Sequence, residues 1–343
     1  MIATILFFAV FTFVIALLHY VSLWQSFGNT SLFLKLLPLL LSCILIFLLC
    51  IVRSYQGFGA VFLFFLTYIW LGGIFFWFCT SLVFLLLKIC HINLPPYFAC
   101  LIAIILTVLS VWNASKEPII TRIKIANSKI TKPLLIAQIS DIHLGKNIKP
   151  ERLKKVIDTV NNSKPDLIVL TGDIFEEQKN VQPFVDLLKT LNAPCGKYVI
   201  SGNHEYYGGL AQNKNLFRQS DLVDLDNKTT EICGIILSGV SDKPDKQFLD
   251  NLKKEEKFTI LLQHQPNNFE ELSTKIDLML SGHAHAGQIW PFTYLVALRY
   301  KHYRGLYEYG GSNLYVNQGT FYWGPPMRLF TNNEITLIEL NEK

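Results

Sequence analysis

The sequence predicts an N-terminal bundle of transmembrane α-helices followed by an α/β domain, and three observations carry that reading. Of the 57 charged side chains in 343 residues, only Lys35, Arg53 and Lys88 fall within residues 1–115. The other 54 lie in the remaining 228 residues, about 24% and close to ordinary globular usage. Apolar runs cover 2–23, 32–52, 58–87 and 97–112, and from residue 134 onward short strand-like runs alternate with amphipathic segments. The expected domains are therefore 1–115 in the membrane and 116–343 outside it. A simple cytosolic enzyme, a disordered chain and a disulfide-stapled secreted domain are excluded.

Crossing roughly 30 Å of hydrocarbon takes about 17–20 helical residues, which three of the four runs exceed, so about four spans are expected. Gly72-Gly73 in the third predicts a close helix contact or a kink, and the fourth is short and follows Pro95-Pro96. A cleaved signal peptide over 1–20 is the plainer alternative. It fits poorly, since no basic segment precedes the run and further apolar runs follow. Four spans put both ends on one side, flanked by Arg53, Lys116, Arg122 and Lys124, against Lys35 and Lys88 on the other. This bias predicts a multi-pass protein with a cytoplasmic C-terminal domain.

Beyond a linker near Asn113–Pro118, Ile119–Ile125 alternates apolar and basic residues as an edge strand does. Strands are expected at Leu134–Ser140, Asp166–Thr171, Lys197–Ser201, Gly234–Val240, Phe258–Gln263, Asp277–Ser281, Leu314–Asn317 and Glu334–Leu340, with helices at Pro150–Asn161 and Val181–Leu191. About 225 residues can bury one full core. Outside the membrane region 28 Lys and Arg face 26 Asp and Glu, a near-neutral balance that argues against nucleic acid as a partner. Cys195 and Cys233 are the only cysteines there and have no C-x-x-C spacing. A disulfide framework is not expected, which favours a reducing compartment.

The residues at the strand ends are more telling than the strands. Asp141-Ile142-His143, Gly172-Asp173, Gly202-Asn203-His204-Glu205, His264 and Gly282-His283-Ala284-His285 each follow a predicted buried strand. Taken singly, such motifs are usually turn or capping features. Five in order, at strand ends that converge on one rim, point to a polar site on a rigid scaffold. Carboxylate, amide oxygen and imidazole without thiolate suit Mn²⁺, Fe²⁺ or Zn²⁺ in a non-structural site. Seven donors exceed one tetrahedral shell and suffice for two divalent metal ions, whose residual charge would hold a phosphate ester and acidify a bridging water to hydroxide.

In this order the residues resemble the calcineurin-like metallophosphoesterase superfamily. The resemblance implies a two-sheet αββα sandwich from roughly Leu134 to the C-terminus. One metal would be held by Asp141, His143, Asp173 and His285, and the second by Asp173, Asn203, His264 and His283. Asp173 would bridge them, and His204 would protonate the leaving oxygen or stabilise phosphoryl charge. The strings GNHEYY at Gly202–Tyr207, ILLQHQP at Ile260–Pro266, LSGHAHAGQIWPF at Leu280–Phe292 and WGPPMR at Trp323–Arg328 resemble its membrane-anchored branch more closely. Ala284 and Ala286 stand where that branch usually has Thr and Gly.

Similar membrane-associated enzymes cleave the pyrophosphate of UDP-diacylglucosamine or other lipid-linked phosphoesters, which sets the expected substrate class and makes the bilayer a partner. Between Ile289 and Tyr309, Trp290, Phe292, Tyr294, Tyr300, Tyr303, Tyr307 and Tyr309 are interleaved with Arg299, Lys301, His302 and Arg304. This mix suits the headgroup level, and a packed aromatic loop is the plainer alternative. Arg304 and Arg328 are candidate substrate contacts. Two other readings stand beside this one: a phosphodiesterase of soluble nucleotides with the helices as anchor, and a membrane sensor with a non-catalytic metal site.

Overall fold

The computed structural model describes residues 2–28, 32–54 and 59–343; residue 58, the expected start of the third run, lies outside them. Two compact units result, Met1–Ser115 with Gly324–Leu329, and Lys116–Trp323 with Phe330–Lys343.

The first unit holds four helices, α1 (Ile2–Phe27), α2 (Leu32–Ser54), α3 (Ala60–Ile89) and α4 (Tyr97–Ser115). Among the described residues three stretches are long and apolar enough to cross a membrane: Val10–Phe27, Ala60–Ile89 and Tyr97–Ser115. The fourth helix thus runs three residues past the apolar run, while the described apolar part of the second is the shorter Leu36–Val52. Polar groups facing hydrocarbon need partners within the protein. His19 of α1 meets the Ser42 hydroxyl of α2 at 3.0 Å and accepts from Trp70 Nε1 of α3 at 3.1 Å, while Trp77 Nε1 donates to Ser26 at 3.0 Å. Helix α3 continues through Gly72-Gly73 without a break, and the close helix contact falls at Gly73, where a Cβ would lie 3.5 Å from Thr107 Oγ1 of α4. A Cβ on Gly72 would lie 2.3 Å from the Met327 sulfur. Arg328, fully buried, belongs to the same segment, its amide donating to the Ser110 carbonyl and its carbonyl accepting from Asn113 Nδ2.

The second unit runs β1 (Ile119–Ala126), β2 (Leu134–Ile139), α5 (Pro150–Asn162), β3 (Leu167–Leu170), α6 (Gln182–Lys189), β4 (Lys197–Val199), α7 (Asn203–Gly208), α8 (Leu210–Gln219), β5 (Val223–Asp224), β6 (Lys228–Ile232), β7 (Ile235–Gly239), α9 (Lys246–Asn251), β8 (Thr259–Leu262), α10 (Phe269–Leu272), β9 (Leu278–Ser281), α11 (Phe292–Arg299), β10 (Gly305–Tyr309), β11 (Ser312–Val316) and β12 (Glu334–Asn341). These strands form two six-stranded sheets, ordered β1-β12-β2-β3-β4-β5 and β10-β11-β9-β8-β7-β6. Strand β1 is an edge, as its alternation predicts. Ile136, Leu167, Val169 and Ile200 of the first sheet share one core with Leu237, Ile260, Leu262, Leu278 and Leu280 of the second, which makes the domain the expected sandwich. Helix α5 buries Leu153, Val156, Ile157 and Val160, the i, i+3, i+4, i+7 face of its pattern.

Strands β2 to β5 are mutually parallel, as are β7, β8, β9 and β11. Parallel strands joined by crossovers end on one side, which gathers the loops after β2, β3, β4, β8 and β9.

One expectation is overturned: Cys195 and Cys233 form a disulfide, with Cα atoms 6.1 Å apart. Spacing along the chain gave no hint, because the bridge joins the turn before β4 of the first sheet to the β6–β7 hairpin of the second. Residues 38 apart meet only once the sheets pack.

Candidate metal centre

Each predicted donor sits where a buried strand gives way to an unusual turn. Asp141, His143, Asp173, His283 and His285 all have φ between 47° and 69°, a left-handed conformation costly for side chains of this kind and characteristic of sites where function over-determines the backbone. The turns are packed against one another. A Cβ on Gly282 would lie 2.0 Å from the Ser140 hydroxyl and 2.2 Å from an Asp141 oxygen, so only glycine lets β9 end against β2.

The structure brings all seven donors together with His204. Asp141, His143 and His285 form one group, Asp173, His264 and His283 another, and His143, Asp173 and His204 a third that overlaps both, the donor atoms within each lying within 4.8 Å of one another. His143 Nε2 and His285 Nε2 are 3.2 Å apart, and His285 Nε2 lies 3.4 Å from Asp141 Oδ1. In the second group His264 Nε2 is 3.2 Å from Asp173 Oδ2 and 3.2 Å from Asn203 Oδ1, while His283 Nδ1 is 2.9 Å from Asn203 Oδ1 and 3.2 Å from His264 Nε2. Donors about 2.0–2.2 Å from a common ion are themselves about 3.0–3.5 Å apart. The residues therefore fit divalent cations. His143 Nε2 lies 3.9 Å from Asp173 Oδ2, which puts that carboxylate within reach of both groups.

The outward-facing ring nitrogens of His143, His264 and His283 each find an acceptor. His143 Nδ1 donates to Glu176 Oε2 at 3.1 Å, His264 Nδ1 to the Thr171 carbonyl at 2.8 Å, and His283 Nε2 to the Tyr300 hydroxyl at 2.7 Å. That aims the other ring nitrogen of His143, His264 and His283 into the cluster, where it can ligate once a cation takes the place of any proton on it. The Tyr300 hydroxyl donates onward to Gln265 Oε1 at 3.4 Å, and Gln265 Nε2 to Asp242 at 2.7 Å.

Electrostatics follow from burial and these pairings. Burial alone would lower His264, but the Asp173 charge and hydrogen bond, with Asp141, override it and lift the ring to about 10. A place that favours a proton on Nε2 this strongly favours a cation there too. Burial and the positive His264 press His283 down to about 3, keeping it neutral. Burial works against ionised Asp173, yet the imidazoles around it hold it well below the carboxylate range.

His204 lies in the same cleft. Its Nδ1 donates to Glu176 Oε2 at 2.6 Å, and its Nε2 stands 4.0 Å from Asp173 Oδ2. Burial lowers its proton affinity, but the Glu176 hydrogen bond and the Asp173 charge more than compensate, and the net shift is upward. Trp323 and Tyr207 flank the ring edge-on, with centroids at 5.6 and 5.3 Å. Of the two candidate arginines, Arg304 is exposed with its guanidinium 5.5 Å from the Tyr303 ring, and Arg328 is buried in the segment that groups with the helices.

Two site residues, Glu176 and Tyr300, escape the motif reading, and a third, Glu205, stands within a motif without an assigned role. Glu176 serves both His143 and His204, and its only sequence signal is its place three residues after Asp173. Glu205 is fully buried and accepts from the amides of Asp173, Ile174, Phe175 and Gly202 at 2.7–3.2 Å, pinning the Asp173 turn to the start of α7. Burial and the Asp173 charge push it up to about 7. Tyr300 reads from sequence as an interfacial ring and proves to be a partner of His283.

Comparison with known proteins agrees with this geometry. The family model described as calcineurin-like phosphoesterase matches residues 134–287. A metallophosphoesterase of Campylobacter jejuni is 34% identical over 256 residues, 71% of this chain and 68% of that protein. One of Bacillus subtilis is 36% identical over 223 residues, 60% of this chain and 78% of that protein. A transmembrane protein with metallophosphoesterase domain from Bos taurus is 30% identical over 278 residues, 72% of this chain and 62% of that protein.

Proposed function

Because the chain belongs to the calcineurin-like metallophosphoesterases, a family of metal-dependent phosphoester hydrolases, we propose that it is a membrane-anchored enzyme using two divalent ions to cleave a phosphodiester or pyrophosphate bond of a lipid-linked substrate. The observation that carries this reading is the convergence of seven donors beside the His204 imidazole, whose Nδ1 is held by Glu176. Divalent ions at the two groups would supply positive charge for the phosphoryl oxygens and an acidified water as nucleophile.

The chain's own residues do the rest. Glu176 holds His204 by Nδ1 and, with Asp173, favours its protonated form. Nε2–H then faces the cleft, and as the bond from phosphorus to the leaving oxygen breaks, that oxygen takes the Nε2 proton. Glu205 keeps the Asp173 carboxylate aimed while its neighbours change charge. The aromatic and basic residues of 289–309 and the apolar helices support a substrate held in a bilayer. Exposed Tyr207 and Trp323 beside His204 favour a second reading, a soluble nucleotide whose base stacks there.

Hydrolysis by full-length protein in detergent, with Mn²⁺ or chelator, tests both on UDP-diacylglucosamine and bis-p-nitrophenyl phosphate. Metal-dependent cleavage of the lipid well above the generic ester is expected. Cleavage of the generic ester alone discards the lipid assignment, and silence on both with metal bound moves the reading to a sensor.

For sidedness, the Lys and Arg bias favours the cytoplasm but rests on a handful of residues, whereas a disulfide belongs to oxidising compartments. We place the domain on the oxidising face of the membrane. Thiol labelling in intact cells checks this: Cys195 and Cys233 should react only after reductant, and ready labelling without it returns the domain to the cytoplasm.

A further inference from the structure

Helix α11 breaks the rule that a surface helix turns its apolar side inward. Of its eight residues only Thr293 is buried, while Tyr294, Leu295 and Leu298 are 65%, 56% and 85% exposed. Positions 294, 295 and 298 fall on one helical face, so these side chains make one patch. Trp290 packs edge-on to Phe330 with centroids 5.8 Å apart, and Phe330 is itself 72% exposed, which adds aromatic surface from the flanking loops. Cations follow directly: Arg299 and Arg304 lie over the rings of Tyr300 and Tyr303 at 4.8 and 5.5 Å. An exposed apolar patch of this kind marks a binding surface.

We propose that α11 and the segment behind it are a docking surface for an anionic phospholipid bilayer, inserted at the level of the headgroups. Three features of the chain select a bilayer as the occupant. Helix α4 ends at Ser115 and β1 begins at Ile119, so three residues tether the domain to a span. Apolar side chains on one helical face with tyrosine and arginine at its end make the composition of helices that lie in a membrane interface. The patch also adjoins the chemistry. Tyr300, the residue after α11, is the hydrogen-bond partner of His283, so a lipid seated on α11 brings its phosphate to the rim of the metal centre. This deepens the lipid-substrate reading and rests on it for its role in turnover, though not for the contact itself.

The contact is read without any assay of activity. Leu298, the most exposed of the three, is replaced by the photo-cross-linker benzoylphenylalanine in the full chain, reconstituted into vesicles of phosphatidylethanolamine and phosphatidylglycerol. Irradiation should give phospholipid adducts at residue 298 by mass spectrometry. No lipid adduct, or adducts only to a second copy of the chain, overturns the proposal. In parallel, L295S/L298S should lower hydrolysis of vesicle-borne phosphatidyl-p-nitrophenol about tenfold more than that of bis-p-nitrophenyl phosphate. Lipid adducts combined with equal effects on the two esters would uphold the docking surface and remove the lipid-linked substrate.

Discussion

The two sheets of the sandwich bring different chemistry to the site. Ends of the first supply both aspartates, the amide of Asn203, His143 and His204; ends of the second supply imidazoles alone, His264, His283 and His285. The first has anionic charge with too few neutral nitrogens, and the second has nitrogens with no charge to offset a dication. Of the three groups of donors that could hold an ion, two draw on both sheets, and only His143, Asp173 and His204 lie wholly on the first. The centre is thus a property of how the sheets pack, and the seam is fastened beside it: Gln138 Nε2 donates to the Ser281 carbonyl at 2.9 Å, His264 to Thr171, and the His283 amide to both oxygens of Asp141 at 3.1 Å.

The largest effect should come from the residue that serves both groups. Asp173→Asn removes a charge within reach of His143, His204 and His264 while leaving the shape, and turnover should fall on the order of 10³-fold, beyond the 10- to 100-fold typical of partners outside the ligand shell. Metal analysis should show both groups depleted. Depletion of one group only would mean that Asp173 belongs to one side of the seam.

Next is the covalent link between sheets. Closing a 38-residue loop stabilises a fold by about 3–4 kcal/mol in the chain-entropy picture. C195S/C233S should therefore lower the melting temperature of the domain in detergent by about 6–16 °C, at roughly 2–4 °C per kcal/mol for a domain of this size, with turnover at low temperature little changed. A large loss of turnover at low temperature would show that the bridge sets the seam's geometry and does more than stabilise it.

How much of this was legible follows the same division between local and assembled features. Asp141, His143, Asp173, Asn203, His264, His283 and His285 announce themselves, because each stands in a short motif after an apolar strand. The strands themselves are readable for the same reason: β3 is wholly apolar, and β8 and β9 each have three apolar residues in a row. The partners that complete the site are not. Glu176, Tyr300 and the Cys195–Cys233 pair are ordinary residues until packing brings them to their targets, and no local pattern encodes that. The same holds for β6 and β10, half-exposed strands whose Lys, Thr, Glu and Tyr carry little apolar signal. Segment Gly324–Leu329 is another case, since nothing in WGPPMR says that Met327 fits against Gly72.

The outer partners sharpen the comparison at smaller scale. His143 leans on a carboxylate, Glu176, whereas His283 leans on a hydroxyl whose chain of donors reaches Asp242 only through Gln265. Tyr300→Phe should weaken metal at the His283 group by about 10-fold and leave the Asp141 group unchanged, at the low end of such effects because the hydroxyl is neutral. Glu176→Gln should do the reverse and more strongly, and should also lower the proton affinity of His204. Titration with metal while following occupancy separates the two. Equal weakening of both groups by Tyr300→Phe would show that the second sheet is one mechanical unit with the first.

The smallest effect concerns the turn by which the second sheet delivers His285. Ala286 is fully buried with φ 53°, a conformation that costs a side chain about 1–2 kcal/mol and that glycine adopts freely. Glycine regains part of that as freedom in the unfolded chain, about 0.4–1 kcal/mol. Ala286→Gly should then stabilise the domain by about 0.5–1 kcal/mol, seen as a rise of about 2 °C in melting temperature. A fall would mean that the buried methyl's packing outweighs the strain, and that the alanine is held there by its neighbours in the way Gly282 is held by Ser140 and Asp141.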